Sequence, residues 1–230
     1  MTKSLRIEHG GHSLELLGSG AIRWESTLLV ADLHLGKETV FQKSGIAIPS
    51  GATQRTLDRL EGLVRDWEGV CDRVVVLGDL LHAPTGWTEE LEVAFKGLME
   101  RHRSLQWKLV AGNHDRRSHG RLREIGWEVL EGSSVEGAMR WIHDPSEVEG
   151  MEDRNCAIGT TLAGHLHPCY RVPVDARRTV RAACFWIGRE LIVLPAFGGW
   201  VGAHAIEPKK GDRIVVCVEG ELIECKHFGK

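Results

Sequence analysis

The 230-residue sequence lacks any apolar run of the roughly 20 residues needed to cross a bilayer. Residues 1–10 also contain no apolar core of the kind found in a signal peptide. Both absences argue against a membrane or secreted protein, so we expect a cytoplasmic location. No repeat or low-complexity stretch is present, and 42% hydrophobic with 27% charged residues is typical of a globular chain. We expect one domain over 1–230.

The six cysteines lack the C-x-x-C spacing that is typical of zinc sites built from thiolates. Cys184 and Cys217 lie in apolar, strand-like runs, so we interpret the cysteines as reduced core residues. A strong basic excess is also absent, because 29 Lys and Arg against 32 Asp and Glu give a net charge of −3. Dedicated nucleic-acid binders are usually basic, although a local basic groove or bound cations would not show in this total.

The apolar pattern predicts alternating strands and helices in the first half of the chain. An amphipathic helix is predicted over 50–67, with Ser50 as its N-cap, and a second helix over 88–102. Strand-like runs are predicted within 5–9, 13–17, 27–36, 73–82 and 105–115. After about residue 126 we expect successive strands with tight turns and no long helix, with hairpin corners at Gly188-Arg189 and Gly220-Glu221. This order predicts an α/β fold with two packed sheets and outer helices.

Side chains that bind metals follow the predicted strands, at the points where the strands end. The clusters are Asp32-Leu33-His34, Gly78-Asp79, Gly112-Asn113-His114-Asp115, His143 and Gly164-His165-Leu166-His167. In extended chain, the two-residue spacing of the D-x-H and H-x-H pairs would direct both side chains of a pair to one side. Each short motif is common by chance, but their ordered occurrence behind successive strands favours a metal site.

The clusters supply a mixed set of carboxylate, amide and imidazole ligands. Such a set suits manganese, iron or zinc better than magnesium or calcium, which prefer oxygen alone. Two cations about 3.5–4 Å apart need a bridging group, and the lone carboxylate of Asp79 can provide it. A water that bridges two cations ionises near neutral pH and can attack a phosphate ester. The residues therefore predict a site for two divalent transition-metal ions, manganese, iron or zinc, and hydrolysis by a metal-bridging hydroxide.

This series of motifs, over residues 32–167, closely resembles that of the calcineurin-like metallophosphoesterases. The resemblance implies a four-layer α/β/β/α sandwich of two packed mixed sheets with outer helices, and a dinuclear site at the sheet edge. By position it implies one metal ion held by Asp32, His34, Asp79 and His167, and a second held by Asp79, Asn113, His143 and His165.

The resemblance also implies roles for His114 and Asp115. His114 would be the general acid or charge stabiliser beside the phosphate, and Asp115 would orient it through a hydrogen bond. His119 and His204 compete with His143 as ligands, but neither follows a strand end so cleanly.

Four segments resemble one branch of this superfamily, the bacterial DNA-ligase-associated metallophosphoesterases. They are DLHLGKE (32–38), IPSGATQRTL (48–57), GHLHP (164–168) and CFW…LPAFG (184–198). This branch implies an endonuclease in DNA repair, a phosphodiester substrate such as DNA, and association with DNA ligase or helicase proteins. The superfamily often forms homodimers. Two alternatives remain: a phosphodiesterase of small cyclic or dinucleotide compounds, and a non-catalytic interaction module for DNA-repair partners.

Several further residues could have a functional role or could be ordinary surface or core residues. Lys37, Arg116 and Arg117 could contact an anionic substrate or could be solvated surface cations. The same choice applies to the basic stretch of Arg171, Arg177, Arg178 and Arg181. The segment 194–202 could be a lid, a dimer surface or a turn packed into the core.

Overall fold

Two mixed β-sheets packed face to face form the centre of the computed structural model, which describes residues 3–48, 50–150, 158–173, 175 and 178–225. The first sheet contains β1 (Ser4–His9), β2 (His12–Leu17), β3 (Ile22–Trp24), β4 (Thr27–Val30), β5 (Arg73–Leu77), β6 (Gln106–Val110) and β7 (Glu128–Leu130). The second contains β8 (Ser134–Glu136), β9 (Met139–Trp141), β10 (Thr160–Ala163), β11 (Pro168–Pro173), β12 (Thr179–Ile187), β13 (Leu191–Val193), β14 (His204–Ala205), β15 (Arg213–Val218) and β16 (Glu221–Cys225). The α-helices of the described residues are α1 (Lys37–Lys43), α2 (Ala52–Asp66), α3 (Glu89–Arg101) and α4 (His119–Glu124).

The first sheet follows the order of the chain from β1 to β7. Strands β1 to β4 pair antiparallel, whereas β4 to β7 pair parallel and are joined by crossovers that carry the four helices. In register, Val30 pairs with Val76 and Val76 pairs with Leu109. The carboxyl ends of β4, β5 and β6 therefore meet at one edge of the sheet, which is where open α/β sheets place their functional loops.

The second sheet is built around β9, β10 and β13, which run parallel, and the long strand β12. Strand β12 pairs with β11 along its first half and with β13 and β15 along its second half. Both predicted hairpins form. The one joining β12 and β13 pairs Ile187 with Ile192 and turns at Arg189 and Glu190, one residue later than predicted. The one joining β15 and β16 turns at Glu219 and Gly220, both with positive φ, which is one residue earlier than predicted.

Apolar side chains fill the space between the two sheets and the space under the helices. Leu29 and Val75 of the first sheet pack with Trp141, Phe185 and Ile192 of the second, all nearly inaccessible to solvent. Burying each such side chain contributes roughly 1.5–3 kcal/mol to folding. The apolar faces of α2, α3 and α4 cover the other face of the first sheet. These layers confirm the predicted α/β fold of two packed mixed sheets. Helices α2, α3 and α4 pack on the first sheet, and no α-helix of the described residues contributes to the apolar clusters that contain the second sheet.

The starts of the two long helices differ in how well the sequence predicted them. Helix α3 begins after Thr88, whose hydroxyl accepts a hydrogen bond from the N–H of Leu91 at 3.2 Å, as a side-chain cap does. Ser50 was wrongly predicted to cap α2. The N-cap is Gly51, whose left-handed φ of 82° suits glycine, and no side chain caps the helix there.

Helices α1 and α4 were not predicted, and both are short. Helix α1 buries no residue and α4 buries only Leu122, so neither leaves an amphipathic pattern in the sequence. The five cysteines in the described ranges are free thiols, which fits the prediction of reduced residues, while Cys156 lies outside those ranges. No helix among the described residues is long and apolar enough to span a membrane.

Candidate metal centre

The predicted metal-binding side chains meet at the edge where the parallel strands end. Two groups of three lie there, and within each group the ligand atoms are all within 4.8 Å of one another: Asp32, His34 and His167 form one, and Asp79, His143 and His165 the other. The loops after β4 and β5 supply the first-sheet members, and the loops after β9 and β10 supply the others. Each group therefore joins one sheet to the other. The ligand sets that the resemblance implies contain these two groups, with Asp79 added to the first and Asn113 to the second.

Ring nitrogens face one another within each group. His34 Nε2 lies 3.1 Å from His167 Nε2, and His143 Nε2 lies 3.0 Å from His165 Nδ1. Two nitrogens that bind one cation at about 2.1 Å, at right angles, would lie about 3 Å apart. Asp32 Oδ1 is buried and has no hydrogen-bond partner among the described residues, as expected for an atom that binds a cation. Both observations show that these residues fit divalent transition metals.

The carboxylate of Asp79, a member of the second group, also faces the first group. Its Oδ2 atom is 3.8 Å from His34 Nε2, in the first group, and its Oδ1 atom is 3.4 Å from His143 Nε2, in the second. One oxygen therefore faces each group, which is the arrangement that a bridging carboxylate needs.

The backbone of these loops adopts an uncommon conformation. Five of the six side chains belong to residues with left-handed φ: Asp32 at 54°, His34 at 47°, Asp79 at 48°, His165 at 70° and His167 at 47°. Each such residue costs roughly 1–3 kcal/mol and is found mostly where function requires it. The expectation that the D-x-H and H-x-H pairs lie in extended chain was therefore wrong. Left-handed turns, rather than strand alternation, direct these side chains into the site.

Two glycines allow the loops to approach one another. A Cβ atom on Gly78, which has a φ of 77°, would lie 2.0 Å from His143 Nδ1. A Cβ atom on Gly112 would lie 2.4 Å from Oδ1 of Asp79. Atoms that are not bonded to each other cannot approach this closely, so only glycine fits at these positions.

His114 lies at the rim of the site, with 43% of its side chain exposed. Its Nδ1–H donates to the backbone carbonyl of His82, which leaves Nε2 pointing inward, 3.9 Å from Oδ2 of Asp79. The His114 ring stacks on the ring of His82 at 5.4 Å, and His82 stacks on Phe41 at 5.6 Å. This stack could not be predicted from the sequence, because a backbone acceptor and a packed ring leave no motif.

Asp115 does not orient His114 through a hydrogen bond, so that prediction was wrong. Its two oxygens accept hydrogen bonds from the backbone N–H groups of Leu81, at 3.1 Å, and Gly112, at 3.0 Å. The carboxylate is fully buried and ties the loop after β6 to the loop after β5, which carries Asp79. Asp115 therefore fixes the two loops relative to each other.

Burial keeps two histidines of the site uncharged. It lowers the pKa of His34 to about 2, with a smaller contribution from neighbouring His167, and it lowers the pKa of His82 to about 4. A neutral imidazole is the form that binds a metal ion.

Backbone carbonyls orient two further rings. His143 Nδ1–H donates to the carbonyl of Leu77 at 3.1 Å, and His167 Nδ1–H donates to that of Gly202 at 2.9 Å. Both rings thus turn Nε2 into the site. Asp144 lies 3.6 Å from His165 Nε2. It belongs to no motif, so the sequence did not predict its place at the site.

A family model for the calcineurin-like phosphoesterases matches residues 26–178, more than half of the chain. The chain belongs to the calcineurin-like phosphoesterase family. This phosphoesterase is a metal-dependent enzyme, and the superfamily predicted from its sequence is confirmed.

The phosphoesterase is also similar to solved structures. The crystal structure of Pseudomonas putida nuclease MPE has 30% identity and a TM-score of 0.79, covering 97% of this chain and 100% of that chain. This match supports the predicted branch. Yfce, a phosphoesterase from E. coli, has 16% identity and a TM-score of 0.42, covering 86% of this chain and 97% of its own. A search of curated proteins found no significant match.

Two cavities flank the metal centre of the phosphoesterase. One, of about 580 Å³, is lined by His167, Arg59 and Trp200. The other, of about 470 Å³, is lined by Asn113 and Arg116. The side chains of these two residues lie 3.5 Å apart, between the Arg116 guanidinium and the Asn113 amide oxygen. Arg116 and Asn113 therefore line one cavity together with His143, a member of the second ligand group.

The other candidates from the sequence are distributed around the site of the phosphoesterase. Lys37 lines a small pocket with His34. Arg117 is exposed, and so is His204 on β14. His119 lies 3.6 Å from Glu131 in the second cavity and is not part of either ligand group.

Proposed function

We propose that this phosphoesterase is a dinuclear metal-dependent phosphodiesterase that cleaves nucleic acid, with DNA repair as its setting. The observation that carries the dinuclear part is the position of Asp79, with one carboxylate oxygen toward each group of ligand atoms. The similarity to a nuclease along the whole chain supports the choice of substrate.

The proposed ligand sets share Asp79. Asp32, His34, Asp79 and His167 would hold one cation, and Asp79, Asn113, His143 and His165 would hold the other. The two groups of ligand atoms support this division, and Asn113 lines a cavity with His143. The mixed oxygen and nitrogen donors favour manganese, with iron or zinc as alternatives. When bound, two such cations supply a hydroxide nucleophile near neutral pH and neutralise charge on the phosphoryl oxygens.

His114 is the proposed proton donor or charge stabiliser. Because its Nδ1–H is held by the carbonyl of His82, Nε2 is the atom that faces a substrate. In the protonated ring, Nε2–H can donate to a phosphoryl oxygen or to the leaving oxygen, a contribution of roughly 10²–10⁴-fold in rate. The stacked ring of His82 keeps this geometry fixed. Asp115 contributes indirectly, by holding the loop on which His114 lies.

The surroundings of the site favour a chain-like substrate. Cavities open on both sides of the metal centre, and each is lined by an arginine, Arg59 in one and Arg116 in the other. A polynucleotide could extend in both directions from a phosphate bound between them, with its other phosphates near cations. We further propose that residues 1–230 form one domain and that the protein is cytoplasmic. The role in DNA repair also suggests contact with DNA ligase or helicase proteins, which copurification would test.

A phosphodiesterase of small nucleotides is the second candidate. Each cavity has a volume in the range of about 300–1,000 Å³ that is usual for small-molecule sites. Glutamates also line both cavities, Glu219 on one side and Glu131 and Glu147 on the other, and they would weaken the attraction of a polyanion.

Hydrolysis in the presence of manganese tests both candidates. The substrates are bis-p-nitrophenyl phosphate, p-nitrophenyl phosphate, a cyclic nucleotide, and single- and double-stranded DNA, with Asp79→Ala as the blank. Cleavage of DNA and of the diester, absent in the blank, is the expected result. Cleavage of small diesters with intact DNA would favour the second candidate. No hydrolysis by protein that contains metal would leave the interaction module as the better explanation.

A further inference from the structure

The segment 194–202 is fastened to the metal centre by backbone hydrogen bonds. The N–H of Phe197 donates to the carbonyl of Ala31 at 2.8 Å, and the N–H of Gly198 donates to that of Asp32 at 3.0 Å. At the other end, the carbonyl of Gly202 accepts the Nδ1–H of His167. The segment is therefore positioned by two proposed metal ligands, and a side chain on it has a fixed place beside the metals.

Trp200 is the exposed aromatic residue of this segment. Its relative exposure is 60%, whereas Phe197, three residues earlier, is fully buried. Trp200 also has a φ of 63°, which is a strained conformation for a bulky residue. It lines both the 580 Å³ cavity with His167 and the small pocket with His34. Within the described ranges, no aromatic ring or cation stacks on its indole.

Arg59, from α2, lines the same cavity as Trp200. Its guanidinium donates to the backbone carbonyls of Phe197, at 2.8 Å, and Ser19, and it lies 4.4 Å from the centre of the Phe197 ring. Among the described residues no carboxylate lies within 4.0 Å of it. Glu219 lines the cavity but forms no ion pair with Arg59. The cavity therefore presents a cation whose charge is not neutralised by the protein.

The β11–β12 hairpin adds two exposed arginines next to this cavity, and together with Arg59 they form a basic surface. Ala183 lines the cavity, and Arg181, two residues earlier on β12, lies on the same face of the strand. Arg181 pairs directly across the hairpin with Arg171, and both are exposed. Two like charges opposite each other destabilise a sheet, and neither has an ion-pair partner in the described part of the chain. This arrangement costs stability and suits the binding of an anion.

We propose that a single strand of nucleic acid leaves the metal centre along this surface, with an unpaired base stacked on Trp200 and phosphates bound by Arg59 and Arg181. This inference rests on the proposed function and specifies its substrate. A base in a duplex is covered on both faces by its neighbours, so an exposed indole selects unpaired bases. The enzyme should therefore prefer single-stranded to double-stranded substrates.

The first part of the test measures stacking. Cleavage of a single-stranded DNA oligonucleotide is followed with manganese for wild type, Trp200→Ala and Trp200→Phe. We expect KM to rise about tenfold in Trp200→Ala, as for the loss of one stacked base, and to return most of the way in Trp200→Phe. On an oligonucleotide with abasic positions, the difference between wild type and Trp200→Ala should shrink. Quenching of tryptophan fluorescence by the oligonucleotide should also be weaker in Trp200→Phe.

The second part measures phosphate contacts through salt dependence. The slope of log(kcat/KM) against log salt concentration should fall by about 0.7 in Arg59→Gln and in Arg181→Ala, one phosphate contact each. Arg189→Ala is the matched control, because Arg189 is a 95% exposed arginine just beyond the other end of β12. If Arg59→Gln fails to fold, Arg181→Ala still decides, since its side chain is exposed. Thermal melting should show Arg181→Ala to be at least as stable as wild type, because a repulsive pair is removed.

The outcomes separate this inference from the proposed function. If the wild type does not cleave DNA, the proposed function fails and the inference fails with it. If the wild type cleaves DNA but Trp200→Ala and Arg181→Ala match Arg189→Ala in KM and salt slope, the strand path is wrong while the nuclease assignment stands. If sedimentation shows that Trp200→Ala converts a dimer to a monomer without changing KM, Trp200 is a dimer contact and the inference is overturned.

Discussion

Replacing Asp115 with asparagine tests how the loops that carry Asp79 and His114 are held together. The two oxygens of Asp115 each accept a backbone N–H, from Leu81 and from Gly112. Asparagine keeps one acceptor and directs its NH₂ group at the other N–H. Since one buried donor loses its partner, we expect Asp115→Asn to lower the free energy of unfolding by about 1–3 kcal/mol.

The loss of unfolding free energy in Asp115→Asn should also depend on pH. Burial raises the pKa of Asp115 to about 6, against about 3.9 for an unfolded aspartate. A pKa that is higher in the folded state adds stability that is complete below the unfolded value and is lost as the pH rises through the folded value. The difference between the two pKa values corresponds to about 3 kcal/mol. The wild type should therefore gain stability over Asp115→Asn as the pH falls from about 7 to about 4.

Urea unfolding followed by circular dichroism measures this effect in protein stripped of metal by a chelator, because bound cations would add charge beside the carboxylate. Asp144→Asn is the control. Burial alone would raise the pKa of Asp144, but hydrogen bonds from Ser146 hold it below its usual value. The stabilisation by Asp144 should therefore shrink as the pH falls, which is the opposite trend. A stability difference between wild type and Asp115→Asn that does not vary with pH would refute the reasoning.

Three further predictions follow from the site and the core. His114→Ala should lose most of the hydrolytic rate, by roughly 10²–10⁴-fold, while elemental analysis finds its metal content unchanged, and near-normal turnover would exclude its proposed role. Gly78→Ala should lose metal, because its Cβ would lie 2.0 Å from His143 Nδ1. The control, Gly62→Ala in α2, meets nothing within 4 Å and should bind metal normally and gain about 0.5–1 kcal/mol in stability. Burial raises the pKa of Cys217 to about 12, so peptide mass spectrometry should show slow alkylation of its thiol near neutral pH in native protein and fast alkylation after unfolding.

The positions of the metal-binding side chains could be predicted because the sheet topology brings them together. Asp32, Asp79 and His165 each follow a buried strand, and strands that run parallel end at the same edge. The apolar runs that mark those strands are plain in the sequence, so the order of the motifs indicated a common metal site. The assignment of each residue to one of two metal ions came from the family resemblance. The left-handed conformation of these residues was not predictable, since nothing in a D-x-H or H-x-H pair distinguishes a turn from extended chain.

Contacts that depend on backbone atoms were beyond sequence reasoning. Asp115 stands next to His114 in the chain, which suggested that the two bond, but its oxygens bind N–H groups of two loops instead. The ring of His114 is held by the carbonyl of His82, and a carbonyl is present in every residue. For the segment 194–202, the apolar residues Phe197 and Trp200 gave equal reason to expect burial, and only packing separates the buried ring from the exposed one.

Because each ligand group contains residues from both sheets, a bound cation would cross-link the two sheets of the sandwich. Pulling the sheets apart would break its coordination, so metal binding and sheet packing are thermodynamically linked. A ligand at a hundred times its Kd adds about 2.7 kcal/mol to the stability of the state that binds it. The linkage also sets an order on assembly, since the loop after β4 emerges from the ribosome long before His165 and His167. High-affinity metal capture must therefore await the docking of the second sheet, and it can serve as the last step that locks the fold.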